Sequence, residues 1–413
     1  MRDIIEALQA KREIVEIKDE VRYGEVVGIA EKYNNKTILF HNVDDKGRVV
    51  VNLINSMDRL SGLLNINKEK FTEEIHRILF KKSDNPMIRK INMPETITEK
   101  PVDLTSLPIL KHFPDDPGRY ITGGVLVSEY NDIRNASVHR MLLLDEKRLA
   151  VRLVAPRHAY TLFHKAETDG KDLPVAVLIG VDPSFLFASS SRVPLNEEYR
   201  FASLLKGGLD IFELNNGVCV PESEIILEGY IRKEERAKEG PFFDITGKYD
   251  IVRDEPVIEI TNMYVKNDPI YHAIIPAGIE HKLLMGMPYL PIIYNACLNA
   301  ADVKNVYLTE GGFHYFNAIV QIKKQTEGDP KNVIMAAFSA DTSLKNVVVV
   351  DDDVNIYDAE QVEEAISLWV RWDRDILLVN NVRGSSLDPT ISENGTGAKL
   401  GIDATKPLKT RSF

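Results

Sequence analysis

The chain has 413 residues, 51 Lys plus Arg against 62 Asp plus Glu for a formal net charge of −11, and 44% apolar residues. At roughly 150 residues per domain this is an ordinary globular composition with room for two or three cores, which excludes a small stapled scaffold. The acidic balance, with no basic cluster interleaved with aromatics, opposes nucleic acid as the principal partner.

The opening MRDIIEALQAKREIVEI places Ile4, Ile5 and Leu8 at helical spacing and interleaves charges, so it reads as an amphipathic helix and not as a signal peptide. No later stretch reaches the roughly 18 uninterrupted apolar residues of a spanning helix, so no membrane partner and a cytoplasmic compartment are expected. The sequons Asn135-Ala136-Ser137 and Asn394-Gly395-Thr396 are then fortuitous. TILFHNV and RVVVNLI read as strands and FTEEIHRILFKK as a helix, making residues 1–105 an N-terminal α/β domain. INMPETITEKPVDLTSLPIL carries three prolines and reads as a linker. From 106 to 290 come short Val- and Ile-rich runs, GGVLVSEY, SVHRMLLL, RLAVRLVAP, PVAVLIG, SEIILEGYI and PVIEITNMYV, with helical YRFASLLKG inserted, as in a barrel or sandwich. From 291 to 413 AIVQIKK, NVIMAAFSA, NVVVVDDD, DAEQVEEAISLWVRW and ILLVNN alternate strand and helix. The fold class is therefore α/β, in an α+β multidomain arrangement. Cys219 and Cys297 lack CxxC or Cys/His spacing and read as core thiols.

Several residues could carry chemistry. Arg140 and Arg152 interrupt apolar strand runs, and a buried arginine needs an anion; the plainer reading is an edge strand with solvated arginines. Strand alternation turns Val138 and Arg140 one way and His139 the other. Arg157-His158 follows the second strand, and with Asn135 and Glu198 could supply a mixed N/O set for a hard or borderline divalent ion, against the commoner structural histidine. Glu239-Gly240-Pro241-Phe242-Phe243-Asp244 sets two carboxylates across a Gly-Pro turn among aromatics, suited to proton transfer, or else two solvated loop acids. Gly395-Thr396-Gly397-Ala398-Lys399 lacks the Gly-Lys-Ser/Thr ending of a P-loop, although Lys399 could meet a phosphate. Asp351-Asp352-Asp353 reads as a strand end with helix capping more readily than as a metal cluster.

Together, NASVHRMLLL-DEKRLAVRLVAPRHA, VLIGVDPS, EEYRFASLLKGG, VPESEIILEGYI, EGPFFDITGKY, DPIYHAI, VQIKKQ, NVVVVDDDVN and GAKLGIDAT resemble the UbiD family of decarboxylases in order along nearly the whole chain. The resemblance implies a central split β-barrel of flavin-reductase type that holds prenylated FMN as an electron sink, and a C-terminal domain used in homo-oligomerisation. It implies a cofactor pocket of Asn135, Ser137, Val138, His139, Arg140, Arg152, Leu153, Val154, Arg157, His158 and Glu198, with Lys399 near the cofactor phosphate. Asn135, His158 and Glu198 would hold Mn²⁺ or Mg²⁺, and Ala188 and Ser189 would face K⁺. The family's acid-arginine-acid set is matched by Glu239, Arg140 and Asp244. Arg140 would then hold the substrate carboxylate and Asp244 would protonate the carbon that lost CO₂.

Two departures stand out. The chain stops soon after GIDAT, and IPAGIEHKLLMG brings Glu280, His281 and Lys282 near the expected pocket mouth, where His281 and Lys282 could meet a substrate phosphate. The length resembles archaeal members that convert trans-anhydromevalonate 5-phosphate to isopentenyl phosphate. The alternatives are a 4-hydroxybenzoate or polyprenyl-hydroxybenzoate decarboxylase, and from another class a flavin reductase or a non-catalytic flavin-binding protein. The small-molecule acid substrate and a flavin prenyltransferase that supplies the cofactor are the expected partners.

Overall fold

The alternating runs near the N-terminus resolve into a mixed sheet. In the computed structural model, which describes residues 1–80 and 85–408, β1 (Ile14–Val21) pairs parallel with β2 (Thr37–Val43), and β2 pairs antiparallel with β3 (Arg48–Val51). The amphipathic helix Arg2–Ala10 turns Ile5 and Leu8 onto Leu39 and Val50 of this sheet and Leu53 just after it.

The Val- and Ile-rich runs of the middle of the chain close into a barrel. Its strands are β4 (Tyr120–Tyr130), β5 (Ile133–Leu143), β6 (Arg148–Val151), β7 (Leu173–Ile179), β8 (Ile225–Glu239) and β9 (Arg253–Lys266), ordered β8-β7-β4-β5-β6-β9 with β9 pairing back onto β8. Every neighbouring pair is antiparallel. Closure removes the free edges that an open six-stranded sheet would expose. β8 and β9 approach so closely that a Cβ on Gly229 would lie 2.1 Å from the Glu259 carbonyl oxygen, so only glycine fits there. Part of the stretch read as a linker is a strand: Ile97–Lys100 pairs antiparallel with β9. Its one buried residue among three exposed ones is too weak a pattern to read from sequence, and the long β9 supplies the ladder.

Helices α1 (His158–Thr168), α2 (Pro183–Ser190) and α3 (Glu198–Lys206) fill the connections between β6 and β8. After the barrel, β10 (Ile270–His272) pairs parallel with β3. The mixed sheet and the barrel share one core, which includes Phe40, Val49, Leu126, Val177 and Ile258. Helix α4 (Ile279–Gly286) carries Glu280 in its first turn, fully buried, whose carboxylate accepts from the Leu53 and Ile54 amides and pairs with His272 at 3.0 Å.

Met1–Asn65 and Ser83–His281 form one compact unit, and Ile66–Lys82 with Lys282–Phe413 form a second. The second carries a five-stranded sheet: β11 (Asp302–Leu308), β12 (Asn317–Lys323), β13 (Asn346–Asp351), β14 (Ile376–Arg383) and β15 (Thr396–Asp403), ordered β11-β12-β13-β15-β14. β12, β13 and β15 run parallel, and helix Asp329–Ala340 crosses from β12 to β13. Asp351 accepts from the Lys406 amide, Asp353 pairs with the Lys406 ammonium, and Asp358 caps helix Ala359–Trp369, so this acidic run closes a strand and opens a helix. Both cysteines are buried thiols. No helix among the described residues is long and apolar enough to cross a membrane.

Just before β4, His112 is buried, and burial pushes its imidazole down to about 3. The unfolded ring titrates near 6.5. The neutral buried ring therefore contributes stability that is present above about pH 6.5 and is lost as pH falls toward the folded value. Lowering pH from about 7.5 to 5 should cost about 2 kcal/mol through this residue. Denaturant unfolding at the two pH values checks this: His112→Gln should lose that much less than wild type, and equal losses would remove His112 as a cause.

Candidate active site

Strand β5 positions most of the site because its side chains alternate. Asn135, Ser137 and His139 share one face, and Arg140 points from the other. The Arg140 side chain is only 10% exposed. Its Nε and Nη2 donate to the two oxygens of Glu239, at 2.8 and 2.9 Å, in a bidentate fork. Nη2 also donates to Asp250 Oδ2 at 2.7 Å, and Nη1 reaches Asp244 Oδ2 at a longer 3.4 Å. The guanidinium lies 4.4 Å from the Phe242 ring centroid, a cation–π contact. Burial alone would make the cation easier to discharge, but Glu239 and Asp250 outweigh it and hold Arg140 well above its ordinary value.

Glu239 ends β8 and is fully buried. Gly240 follows with φ +91°, in the left-handed region that favours glycine, and a Cβ there would lie 2.9 Å from the Ile251 carbonyl oxygen. The chain then makes a hairpin. Phe243 bridges to Tyr249, Asp244 N donates to Lys248 O, and Gly247 N donates to Asp244 O. Asp244 thus sits at the turn, above Arg140. Phe243 packs on Phe113 at 4.3 Å between ring centroids, and Tyr120 packs edge-on to Phe242 at 5.0 Å. The Tyr120 hydroxyl accepts from Gly240 N and is hydrogen-bonded to Glu239; burial and then Glu239 push its phenol up, so it stays protonated.

On the other face of β5, Asn135, His158 and Glu198 converge. Glu198 Oε1 lies 2.8 Å from the Asn135 amide nitrogen and 3.4 Å from His158 Nδ1, and Glu198 and Asn135 are buried. Hydrogen-bond polarity bears on how this set is used. Burial pushes His139 down to about 4, so its ring is neutral near pH 7. With Nδ1 donating to Arg152 O at 2.8 Å, Nε2 must accept from Ser137 Oγ. Ser137 then has no proton left for Asn135 Oδ1, 2.9 Å away. Turning the Asn135 amide over, which exchanges two nearly equivalent atoms, lets Nδ2 donate to Ser137 and faces Oδ1 toward Glu198. With the amide so turned, amide oxygen, carboxylate and imidazole form a donor set that fits a hard or borderline divalent ion. Among the described residues there is no metal-binding group of three His, Cys, Asp or Glu, because the third donor here is an amide.

The remaining expected residues are more dispersed. Arg152 spends its charge on Glu255, which also accepts from Leu153 N at 3.2 Å. Val154 is exposed, Arg157 is the N-cap residue of α1, and Val138 is partly buried on β5. Ala188 and Ser189 are buried in α2; Ala188 O accepts from Ser191 N, and Ser189 Oγ is buried with no hydrogen-bond partner among the described residues. In the second unit, Lys399 donates to Thr342 O at 2.9 Å beside the Phe338 ring. His281 Nδ1 accepts from Ala277 N at 3.1 Å. Lys282 lies 5.4 Å from the Phe313 ring centroid, and burial lowers its ammonium. Sequence reasoning missed Asp250, Arg253, Glu255 and Tyr120. The hairpin signal DITGK, directly after the first two acids, returns the chain to Arg140 and could have pointed to Asp250.

Comparison with known proteins agrees across all parts of the chain. The N-terminal, Rift-related and C-terminal domains of 3-octaprenyl-4-hydroxybenzoate carboxy-lyase match residues 5–79, 87–279 and 282–404. Anhydromevalonate phosphate decarboxylase of Methanosarcina mazei is 51% identical over 411 residues, covering 98% of this chain and 96% of that protein. The protein of the same name from Archaeoglobus fulgidus is 46% identical, covering 97% and 92%. Among solved structures, the UbiD-class enzyme HmfF from Pelotomaculum thermopropionicum in complex with FMN superposes with a TM-score of 0.93 at 33% identity, covering 100% of this chain and 95% of that one. An evolved dimeric form of HmfF, in complex with prFMN, gives 0.89 at 31% identity with coverage of 100% and 96%. With all three domains matched in order, this chain belongs to the UbiD family.

Proposed function

We propose that the protein is a carboxy-lyase that decarboxylates trans-anhydromevalonate 5-phosphate to isopentenyl phosphate with prenylated FMN. The observation that carries this reading is a buried arginine gripped by one carboxylate and approached by a second at a hairpin turn. The names of the archaeal relatives support the substrate, and the FMN and prFMN complexes of HmfF support the cofactor. The barrel is read as a flavin-reductase-type split barrel, within a three-part division at 1–105, 106–290 and 291–413 that the three matched domains support.

The assigned roles follow from charge and reach. Glu239 fixes the guanidinium plane, so that the Nη1 edge is the one able to meet a substrate carboxylate. The bond to that carboxylate breaks, CO₂ leaves with the carboxylate oxygens, and the electron pair stays on the substrate. When bound, prenylated FMN supplies the electron sink for this step. Asp244 delivers its proton to the carbon that lost CO₂, and solvent restores the proton, so atoms and charge balance. Asn135, His158 and Glu198 would hold manganese or magnesium, Ala188 and Ser189 would face potassium, Lys399 would meet a cofactor phosphate, and Lys282 with His281 a substrate phosphate. Exposed Leu368, Trp372 and Leu378, at 62%, 64% and 57%, favour a homo-oligomer. A flavin prenyltransferase in the cytoplasm would supply the cofactor.

Three outcomes are expected. Asp244→Asn should retain cofactor yet lose about 10² to 10⁴ in turnover and in proton exchange into product; unimpaired turnover would remove Asp244 as the donor. Glu198→Gln should release divalent ion and cofactor together, read by metal analysis and flavin absorbance, and normal cofactor retention without metal would discard the ligand set. One holoenzyme preparation should prefer anhydromevalonate phosphate over anhydromevalonate and 4-hydroxybenzoate, with Lys282→Ala eroding the preference for phosphate by roughly 1.5 to 3 kcal/mol. Preference for the aromatic acid would sink the substrate while leaving the decarboxylase class standing.

A further inference from the structure

Asp250 has no part in the acid-arginine-acid set, yet it makes more contacts to the site than Asp244 does. Its Oδ2 accepts from Arg140 Nη2 at 2.7 Å and from Arg253 Nη1 at 2.8 Å, and its Oδ1 accepts from Phe242 N at 3.0 Å. Its own backbone amide donates to Phe242 O, closing the base of the hairpin that carries Asp244. One carboxylate therefore joins β5 through Arg140, β9 through Arg253, and both arms of the hairpin. Among the described residues the Asp244 carboxylate by contrast has only the 3.4 Å approach from Nη1 and an amide bond from Ile245. Its position relative to Arg140 is set by whatever holds the hairpin down.

The charges around the guanidinium also do not cancel. Glu239 from β8, Asp244 and Asp250 from the hairpin give −3, and Arg140 from β5 with Arg253 from β9 gives +2, leaving −1. The other groups packed around the hairpin include Lys248 on the hairpin itself, Tyr120 of β4, protonated beside Glu239, and Asp116, which is hydrogen-bonded to Tyr249 with Asp115 and Lys111 nearby. In so poorly solvated a cluster, adding or removing one charge shifts how readily the acids that remain hold a proton. Such a proton is what a decarboxylation consumes.

We propose that Asp250 is the positioning residue of this site: it clamps Arg140 and the Asp244 hairpin together, and its charge sets how readily the cluster holds the proton that the reaction consumes. The proposal rests on the decarboxylase reading for the use of that proton, and on this structure alone for the clamp.

The holoenzyme tests the first part. Asp250→Asn should lower kcat about 10- to 100-fold with a smaller change in KM, as expected for a displaced rather than deleted donor. It removes a negative charge, so the basic limb of the kcat/KM profile should move down by roughly one pH unit. Arg253→Gln removes a positive charge and should move that limb up. Asp250→Glu keeps the charge and should restore the limb while leaving kcat short of wild type. Opposite shifts are not produced by a merely structural role. Wild-type turnover with an unmoved limb in Asp250→Asn, or shifts of the same sign in both variants, would overturn the proposal.

The clamp has a readout that needs no substrate. In the full-length protein labelled with ¹³C at the aspartate carboxyls, Asp250 should titrate below the ordinary value of about 3.9, because Arg140 and Arg253 outweigh its burial. Arg253→Gln should bring it back up. Ordinary titration in the wild type would overturn the clamp whether or not Asp250→Asn folds. If the wild-type holoenzyme turns over none of the three acids, the decarboxylase reading fails, and the titration still decides Asp250.

Discussion

A guanidinium taken out of water must be met by anions, and the burial of Arg140 organises this site. Removing a charge from solvent costs several kcal/mol unless close, well-aligned partners replace the water. Those partners cannot come from β5, whose neighbours in sequence are apolar or face away. They come from the end of β8 and from the hairpin before β9, about a hundred positions further along the chain. Barrel closure between β8 and β9 is therefore more than a way to remove edges. It delivers Glu239 and the hairpin to the strand that carries the cation, and Gly229 marks how tightly those two strands must fit.

The same strand separates two kinds of chemistry by its pleat. One face carries Asn135, Ser137 and His139 in a hydrogen-bonded row that ends on the Arg152 carbonyl and leads to Glu198. The other carries the cation and its acids. The neutral state of His139 matters to this arrangement, because it fixes the direction of every hydrogen bond in the row.

Legibility in the sequence followed locality. The barrel strands, the helix of YRFASLLKG and the alternation after residue 290 were readable because each is a run of apolar residues with its own period and turn signals. Arg140 was readable because a charge inside such a run is an anomaly that asks for an explanation. Ile97–Lys100 was not, since one apolar residue among polar ones has no period, and its strand character is conferred by β9. Asp250 was not readable for a related reason. In sequence it is one of many acids in a charged loop, and only the hairpin geometry, with Phe242 N and two arginines converging on it, distinguishes it from Asp254, whose partner is the exposed Lys238.

The segment from 276 to 286 shows how a local reading can be right about residue type and incomplete about direction. Glu280-His281-Lys282 looks from sequence like a charged cluster at a mouth. The structure buries Glu280 completely, with two backbone amides and His272 on its carboxylate, and gives the His281 ring nitrogen an amide to accept. Residues two apart on a helix are separated by about 200°, so pinning Glu280 inward places Lys282 on the other side of α4 from it. There the ammonium packs over Phe313, partly desolvated, and burial makes its proton easier to lose. A cation held that way gains more from an anion than a solvated one does, because the anion offsets a desolvation cost already incurred. Lys282 is thus held against an aromatic face and partly desolvated, whereas His281 serves the turn that starts the helix.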